Sequence, residues 1–87
     1  MLQDAVQHAT EVKRRHEKEL MRKSNVVGVG VGLRMRSGRR TDEVCIVVSV
    51  KVKVPAQNIQ PSDIVPPVIE GVPVDVVETG EIRAFRA

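Results

Sequence analysis

The sequence has almost no aromatic residues: its 87 residues include one Phe, Phe85, and no Trp or Tyr. Large rings most often anchor protein interfaces and stack on single-stranded nucleic acid, so that class of nucleic-acid binder is not expected. There is one cysteine, Cys45, and it cannot form an internal disulfide. The fold therefore does not depend on an oxidising compartment.

Long apolar runs are also absent. No stretch approaches the roughly 20 apolar residues of a membrane span, and Met1–Lys23 is charged throughout, unlike a signal peptide. The net charge of +3 is small, and acidic residues accompany the basic ones. We therefore expect no membrane span and no nucleic-acid partner. A cytoplasmic location is the default, and extracellular export by an unrecognised route is the alternative.

Residues 2–23 have the periodicity of an amphipathic helix. With about 100° between successive residues, one face about 120° wide carries the apolar side chains and one histidine. These residues are Leu2, Ala5, Val6, Ala9, Val12, His16 and Leu20. Asp4 near the start and Arg22 near the end suit the helix dipole. Ser24-Asn25 ends the helix, so the N-terminal helical segment covers residues 1–24.

Residues 26–36 alternate strictly between two faces, which predicts a strand. One face is apolar and consists of Val27, Val29, Val31, Leu33 and Met35. The other face is rich in glycine and consists of Val26, Gly28, Gly30, Gly32, Arg34 and Arg36. A turn at residues 37–40 and a second strand at residues 41–54 complete a predicted antiparallel hairpin.

The proline-rich crossover, residues 55–71, favours extended or short 3₁₀ structure over a full helix. A third strand is predicted over Val72–Glu78, and Pro73 restricts its start to a sheet edge. The tail, residues 79–85, is compatible with a last short strand. Residues 1–87 are thus predicted to form one α+β domain, in which the long N-terminal helix packs on a sheet region, residues 25–87. The sheet has three to four mostly antiparallel strands, in the order α-β-β-β.

No motif that carries chemistry is complete. Gly28, Gly30 and Gly32 lie within a strand, whereas phosphate-binding glycines lie in a turn that opens a helix. His8 and His16 lack the i,i+4 spacing that places two metal ligands on one helix face. No serine lies in a G-x-S-x-G turn. We predict no catalytic residue, no cofactor and no metal, and therefore no enzyme.

The glycine positions leave one strand face without side chains, so another element can approach the backbone closely. Two occupants are open: the chain's own helix, or an element of a neighbouring copy. Valine is abundant for one small core, which favours a second copy. The candidate interaction residues are Gly28, Gly30, Gly32, Leu2, Val6, Val72, Val74 and Phe85.

Four motifs also follow one another in a distinctive order. They are Asn25-Val-Val-Gly-Val-Gly-Val-Gly32, a hairpin ending in Val50–Pro55, Pro61-Ser-Asp-Ile-Val-Pro66 and Gly71-Val-Pro-Val-Asp-Val-Val-Glu78. This order resembles the non-catalytic N-terminal domain that precedes the trypsin-like catalytic domain in bacterial serine proteases related to the plant narrow-leaf type. The resemblance covers about residues 1–83. It implies an accessory module, here free-standing, in a family whose members form oligomers.

We therefore predict a non-enzymatic structural module that self-associates into a homo-oligomer or filament. The alternative is a regulatory or pro-segment-like partner of a separate trypsin-like serine protease.

Overall fold

The computed structural model describes residues 2–79. These residues form one helix, α1 (Leu2–Arg22), and four strands: β1 (Val26–Arg36), β2 (Arg39–Val50), β3 (Val68–Ile69) and β4 (Val72–Glu78). The strand order is β1-β2-β4-β3. The pairs β1–β2 and β3–β4 are antiparallel, and β2–β4 is parallel. The predicted α+β class, with an N-terminal helix followed by a small sheet, is confirmed, and the sheet is mixed.

The helix ends where the sequence predicts. Asn25 adopts a left-handed conformation with φ of 76°, which asparagine tolerates better than most residues, and the chain then enters β1. Three helix residues, Ala9, Val12 and Leu20, are buried. Leu2 and Val6 continue the same apolar stripe but are exposed. The first two turns of α1 therefore extend past the core.

A two-residue turn joins β1 to β2. Ser37 and Gly38 both have positive φ, 50° and 77°, as in the tight turns that match the natural twist of a hairpin. The predicted bounds of β2, residues 41–54, are wrong at both ends, because the strand begins at Arg39 and ends at Val50. There Asn25 takes over the pairing: its backbone oxygen accepts the Lys51 N–H at 3.0 Å, and its side-chain oxygen accepts the Val52 N–H at 3.1 Å.

Two irregularities in the β1–β2 register correct the predicted faces of β1. A shift between Val26 and Gly28 pairs Val26 with Val50. Val26 therefore packs against the core rather than lying with the glycines. A second shift, between Leu33 and Met35, removes Met35 from the apolar face and leaves it exposed. Bulges of this kind change which side of a strand faces the core.

The core lies on one face of the sheet, beneath α1. Helix residues Ala9, Val12 and Leu20 meet an aliphatic layer from the strands. That layer consists of Val44, Ile46, Val48, Val50, Ile69, Val72 and Val74. Burying each such Val, Leu or Ile side chain contributes about 1.5–3 kcal/mol. The buried cluster beneath α1 is therefore built entirely from aliphatic side chains and Ala9.

The crossover contains two 3₁₀ turns, Ala56–Asn58 and Pro61–Asp63, as predicted. It also contains β3, which the sequence did not indicate. Pro73 pairs with Val68 of β3, and the pairing of β4 with β2 begins only at Val74. Pro73, which has no N–H, thus precedes the inner part of the strand. Beyond Thr79, the tail predicted as a last strand lies outside the described residues.

An ion cluster fastens α1 to the β3–β4 turn. The Arg15 guanidinium donates two hydrogen bonds to the Glu70 carboxylate, at 2.8 and 3.1 Å. His16 Nε2 donates a third, at 2.7 Å. Arg15 and His16 together lower the pKa of Glu70 to about 2. Glu70 itself has a φ of 48° in this tight turn, so the turn holds its carboxylate towards the middle of the helix.

Candidate interaction surface

The glycine face lies on the side of the sheet opposite α1. Its central pairs are Gly28 with Ser49 and Gly30 with Val47. A Cβ atom added at Gly30 meets no atom within 4 Å. Of the two occupants left open by the sequence, the chain's own helix is therefore excluded, because α1 packs on the valine side. The glycine face consists of Gly28, Gly30, Gly32, Cys45, Val47, Ser49, Asp75 and Val77.

The distal end of the hairpin bends over one end of the glycine face. The Met35 N–H donates to Asp75 Oδ2 at 3.2 Å, although β2 lies between β1 and β4. In a flat sheet, two strand spacings would separate β1 from β4 by about 10 Å. The hairpin must therefore curl at the irregularity between Leu33 and Met35.

This curl lies over the region of Cys45, which pairs with Gly32 and is 0% exposed. Burial, followed by the nearby Asp75 carboxylate, raises the pKa of the Cys45 thiol. A thiol with a raised pKa carries little of the reactive thiolate at neutral pH. Cys45 is therefore a buried, unreactive residue of β2 that contributes to packing.

The outer edge of β1 has no strand beside it among residues 2–79, since β1 is first in the strand order. Between Val26 and Leu33 the strand contains no charged residue and no proline. Natural edge strands are usually protected by Lys, Pro, bulges or short length. Here the register shifts lie at the two ends and leave Gly28–Leu33 regular. Its unpaired backbone groups are a template for another strand.

Exposed apolar side chains on α1 adjoin this edge. Met21 is exposed and lines a cleft together with Glu17, Lys18, Gly28 and Val29. The C-terminal half of α1 therefore lies along the β1 edge.

Leu2 and Val6, on the first two turns of α1, are 56% and 40% exposed. Their side chains are therefore accessible to a partner.

The other candidate interaction residues are placed differently. Val72 and Val74 are only 5% and 8% exposed, because alternate residues of β4 point to the valine side under α1. Their side chains are therefore removed from the candidate surface. Phe85 lies outside the described residues.

A groove that sequence reasoning missed lies between the end of β2 and the crossover. It has a volume of about 570 Å³. Exposed side chains of Val52, Val54 and Ile64 contribute to its lining. The groove adjoins the end of β4, where the Lys53 N–H donates to Glu78 Oε1 at 2.7 Å. The alternation of valines through residue 54 predicts a longer β2, and no local pattern separates residues 52–54 from that strand.

The charged tip of the hairpin is partly neutralised. Glu43 Oε1 lies 3.3 Å from Arg34 and 3.8 Å from Arg36. Among residues 2–79, no three His, Cys, Asp or Glu side chains come together as metal ligands would. In the same range, no helix has the length and apolar character needed to cross a membrane.

A family model matches most of the chain. It is described as the NARROW LEAF 1 N-terminal domain, and the match covers residues 7–79. This range runs from the first turns of α1 to the end of β4, so it includes the glycine face, the β1 edge and the groove. It confirms the narrow-leaf-type domain indicated by the order of motifs. No curated protein matches the chain.

Proposed function

We propose that this chain, which belongs to the narrow leaf 1 N-terminal domain family, is a non-enzymatic module that self-associates through the free edge of β1. The observation that carries the proposal is the regular, uncharged segment Gly28–Leu33 on the outer strand of the sheet. A second copy supplies the missing strand neighbour. Backbone hydrogen bonds then give the affinity, as in other strand additions.

The expected strength follows from the length of the segment. Pairing of two Gly28–Leu33 segments forms about six backbone hydrogen bonds, each worth about 1 kcal/mol net. Loss of translational and rotational freedom on association costs about 4–15 kcal/mol. Backbone pairing alone therefore gives weak association. Burial of adjoining apolar surface, such as Met21, is needed to hold the oligomer together at low concentration.

Sedimentation velocity over a concentration series tests the proposal. The variant Gly30→Lys places a charge beside the free edge, at a position where an added Cβ meets no neighbour. The matched control is Ser49→Lys, which adds the same charge to the same face but on the inner strand β2. We expect the wild type and Ser49→Lys to associate with rising concentration and Gly30→Lys to remain monomeric.

The outcomes distinguish association through the β1 edge from association through the glycine face. Loss of association in both variants would move the contact from the β1 edge to the whole glycine face. Association of Gly30→Lys equal to that of the wild type would overturn the proposal, as would a wild-type monomer at high concentration.

A second candidate function is regulation of a separate trypsin-like protease. The resemblance to the N-terminal domain of bacterial trypsin-like proteases motivates it, and the groove beside the end of β4 favours it. The exposed Ile64 in its wall offers an apolar anchor point for such a partner. If the domain binds a trypsin-like protease, a defined complex forms in sedimentation and Ile64→Asp weakens it. The control change Val68→Asp, at an exposed valine of β3 outside the groove, leaves that complex intact.

A further inference from the structure

We propose that the C-terminal segment of this chain, residues 80–87, binds in the groove beside the end of β4. Phe85 supplies the main apolar contact, and Arg83 lies towards the Asp63 carboxylate. The proposal is independent of self-association through the β1 edge. It puts the segment where the second candidate function puts a protease partner, so the segment and such a partner would compete for the groove.

The groove brings together apolar side chains that the domain leaves exposed. Its volume of about 570 Å³ lies within the range of about 300–1,000 Å³ that is usual for ligand sites. Among residues 2–79, eight large apolar side chains are exposed, and three of them, Val52, Val54 and Ile64, line this groove. An occupant that brings an apolar side chain removes these three from water, which favours binding.

The strand β4 ends at the rim of the groove. The Thr79 N–H donates to the Val50 carbonyl oxygen at 2.8 Å, and the Glu78 carboxylate accepts the Lys53 N–H at 2.7 Å. Val50 and Lys53 both line the groove. The next residue of the chain, Gly80, therefore starts beside it.

The segment is long enough for its apolar side chains to enter the groove. Ile82 and Phe85 follow Thr79 by three and six residues, which span at most about 10 and 20 Å when extended. Both side chains can therefore reach a groove that begins beside Thr79. Phe85 carries the only large ring of the chain, and such a ring buries about 150–250 Å², so its burial supplies most of the apolar gain.

The charges of the groove and of the segment are complementary. The charged residues in the groove lining are Lys53 and Asp63. Neither takes part in an ion pair among residues 2–79. The segment carries an acidic residue, Glu81, followed by two basic ones, Arg83 and Arg86. The first charge thus suits Lys53, whose N–H is bonded at the rim, and the arginines suit the carboxylate on the opposite wall.

Asp63 is held in place for a contact with an arginine. Its Oδ1 accepts the Ser24 N–H at 3.0 Å, which fixes the carboxylate at the end of α1. An ionised carboxylate can accept several hydrogen bonds, so a guanidinium can bind to the same group. Hydrogen bonds between two charged groups are stronger than those between neutral ones. The groove therefore favours a segment that combines an apolar ring with arginine, as residues 80–87 do.

NMR of the full chain tests the proposal, because Phe85 carries the only phenyl ring. Nuclear Overhauser effects between the ring protons and methyl groups report direct contact, and ring-current shifts of the same methyls report it independently. We expect both effects at the methyls of Val52, Val54 and Ile64 at low protein concentration. The variant Phe85→Leu should lose the ring-current shifts. The Val31 methyls on β1 are the internal control and should have the same shifts in both proteins.

The charge contact is tested by Asp63→Asn, which keeps a side-chain oxygen for the Ser24 N–H and removes the negative charge. We expect the ring-current shift at Ile64 to fall towards its value in Phe85→Leu. The matched control is Asp42→Asn, at an exposed position near the tip of the hairpin, which should leave that shift as in the wild type. Circular dichroism of each variant establishes that it is folded. Equal effects of the two changes would overturn the charge contact.

The remaining outcomes decide where the ring lies and to which chain it belongs. Ring contacts that persist in Gly30→Lys, the variant designed to stay monomeric, would support binding within one chain even if self-association fails. Contacts seen only between labelled and unlabelled chains in a mixture would overturn it. So would the absence of contacts to the groove methyls, or contacts to Val47 and Val77, which would place the ring on the glycine face.

Discussion

Shortening Leu20 to Ala tests whether the core lies where α1 crosses the valine side of the sheet. Leu20 is 2% exposed and belongs to the aliphatic layer. Leu→Ala changes at buried sites cost about 2–5 kcal/mol, from lost burial and the cavity left behind, so we expect about 3 kcal/mol here. Single domains of this size are stable by only about 5–10 kcal/mol. Leu20→Ala should therefore remove about 30% or more of the stability.

The chain contains its own control, because Leu2 is on the same helix and is 56% exposed. Leu2→Ala removes the same atoms from a site that buries less than half of them. Its expected cost is below about 1 kcal/mol, and the better helix propensity of Ala offsets part of that. The two variants thus differ in burial and not in chemistry.

Urea unfolding followed by circular dichroism is the suitable assay, since the chain has no Trp or Tyr for fluorescence. With a slope of about 1.5 kcal/mol per molar urea, Leu20→Ala should lower the midpoint by about 2 M. Two protein concentrations are needed, because association stabilises the folded state by mass action. A loss for Leu20→Ala no larger than that for Leu2→Ala would refute the placement of the core. A destabilisation by Leu2→Ala that is seen only at the higher protein concentration would indicate that Leu2 lies in the contact between copies.

Two further predictions concern titratable groups. The pKa of Glu70, about 2, lies below its ordinary value of 4.5, so the ionised carboxylate stabilises the fold above about pH 4.5 and this contribution is lost as the pH falls towards 2. The melting temperature of Glu70→Gln should therefore be lower than that of the wild type at neutral pH and converge with it near pH 2. The exposed Glu19→Gln is the control, and a constant difference for Glu70→Gln across this range would contradict the assignment. The buried Cys45 thiol, with its raised pKa, should resist a thiol reagent in native buffer and react fully in denaturant; rapid native reaction would show that the thiol is accessible.

The helix and strands in which apolar residues recur at a regular spacing could be predicted from the sequence. The α1 stripe, the β1 alternation and the Val72–Glu78 strand each bury one face, so the pattern of apolar residues reports the structure directly. The position of the turn at Ser37 and Gly38 follows from the glycine between two alternating segments, but its length does not, because the predicted turn covers residues 37–40 whereas β2 begins at Arg39. What these cases share is that local pattern and tertiary burial agree.

The failures arise where a long-range contact overrides the local pattern. Val52 and Val54 continue the alternation of β2, but the chain leaves the strand after Val50, where the Asn25 side-chain oxygen accepts the Val52 N–H. The two-residue β3 is too short to leave a periodic signal, and its pairing with β4 defines it. Likewise, the sequence left the occupant of the glycine face open, since alternation identifies two faces but not which one a helix covers. The bulge at Val26 likewise changes the face on which one residue lies, and alternation alone does not predict that change.

The two outer strands of the sheet differ in a way that bears on how far assembly proceeds. The β1 edge offers the regular segment Gly28–Leu33, whereas β3, at the other edge, has two residues, Val68 and Ile69. A strand that short cannot hold a partner by backbone pairing. The outer side of β4 beyond β3 also has no strand beside it among residues 2–79, since β3 pairs only with Val72 and Pro73 and leaves Asp75–Glu78 as a second edge. Self-association through β1, as proposed, would therefore leave this part of β4 open to a further strand, so strand pairing alone does not limit assembly to a dimer.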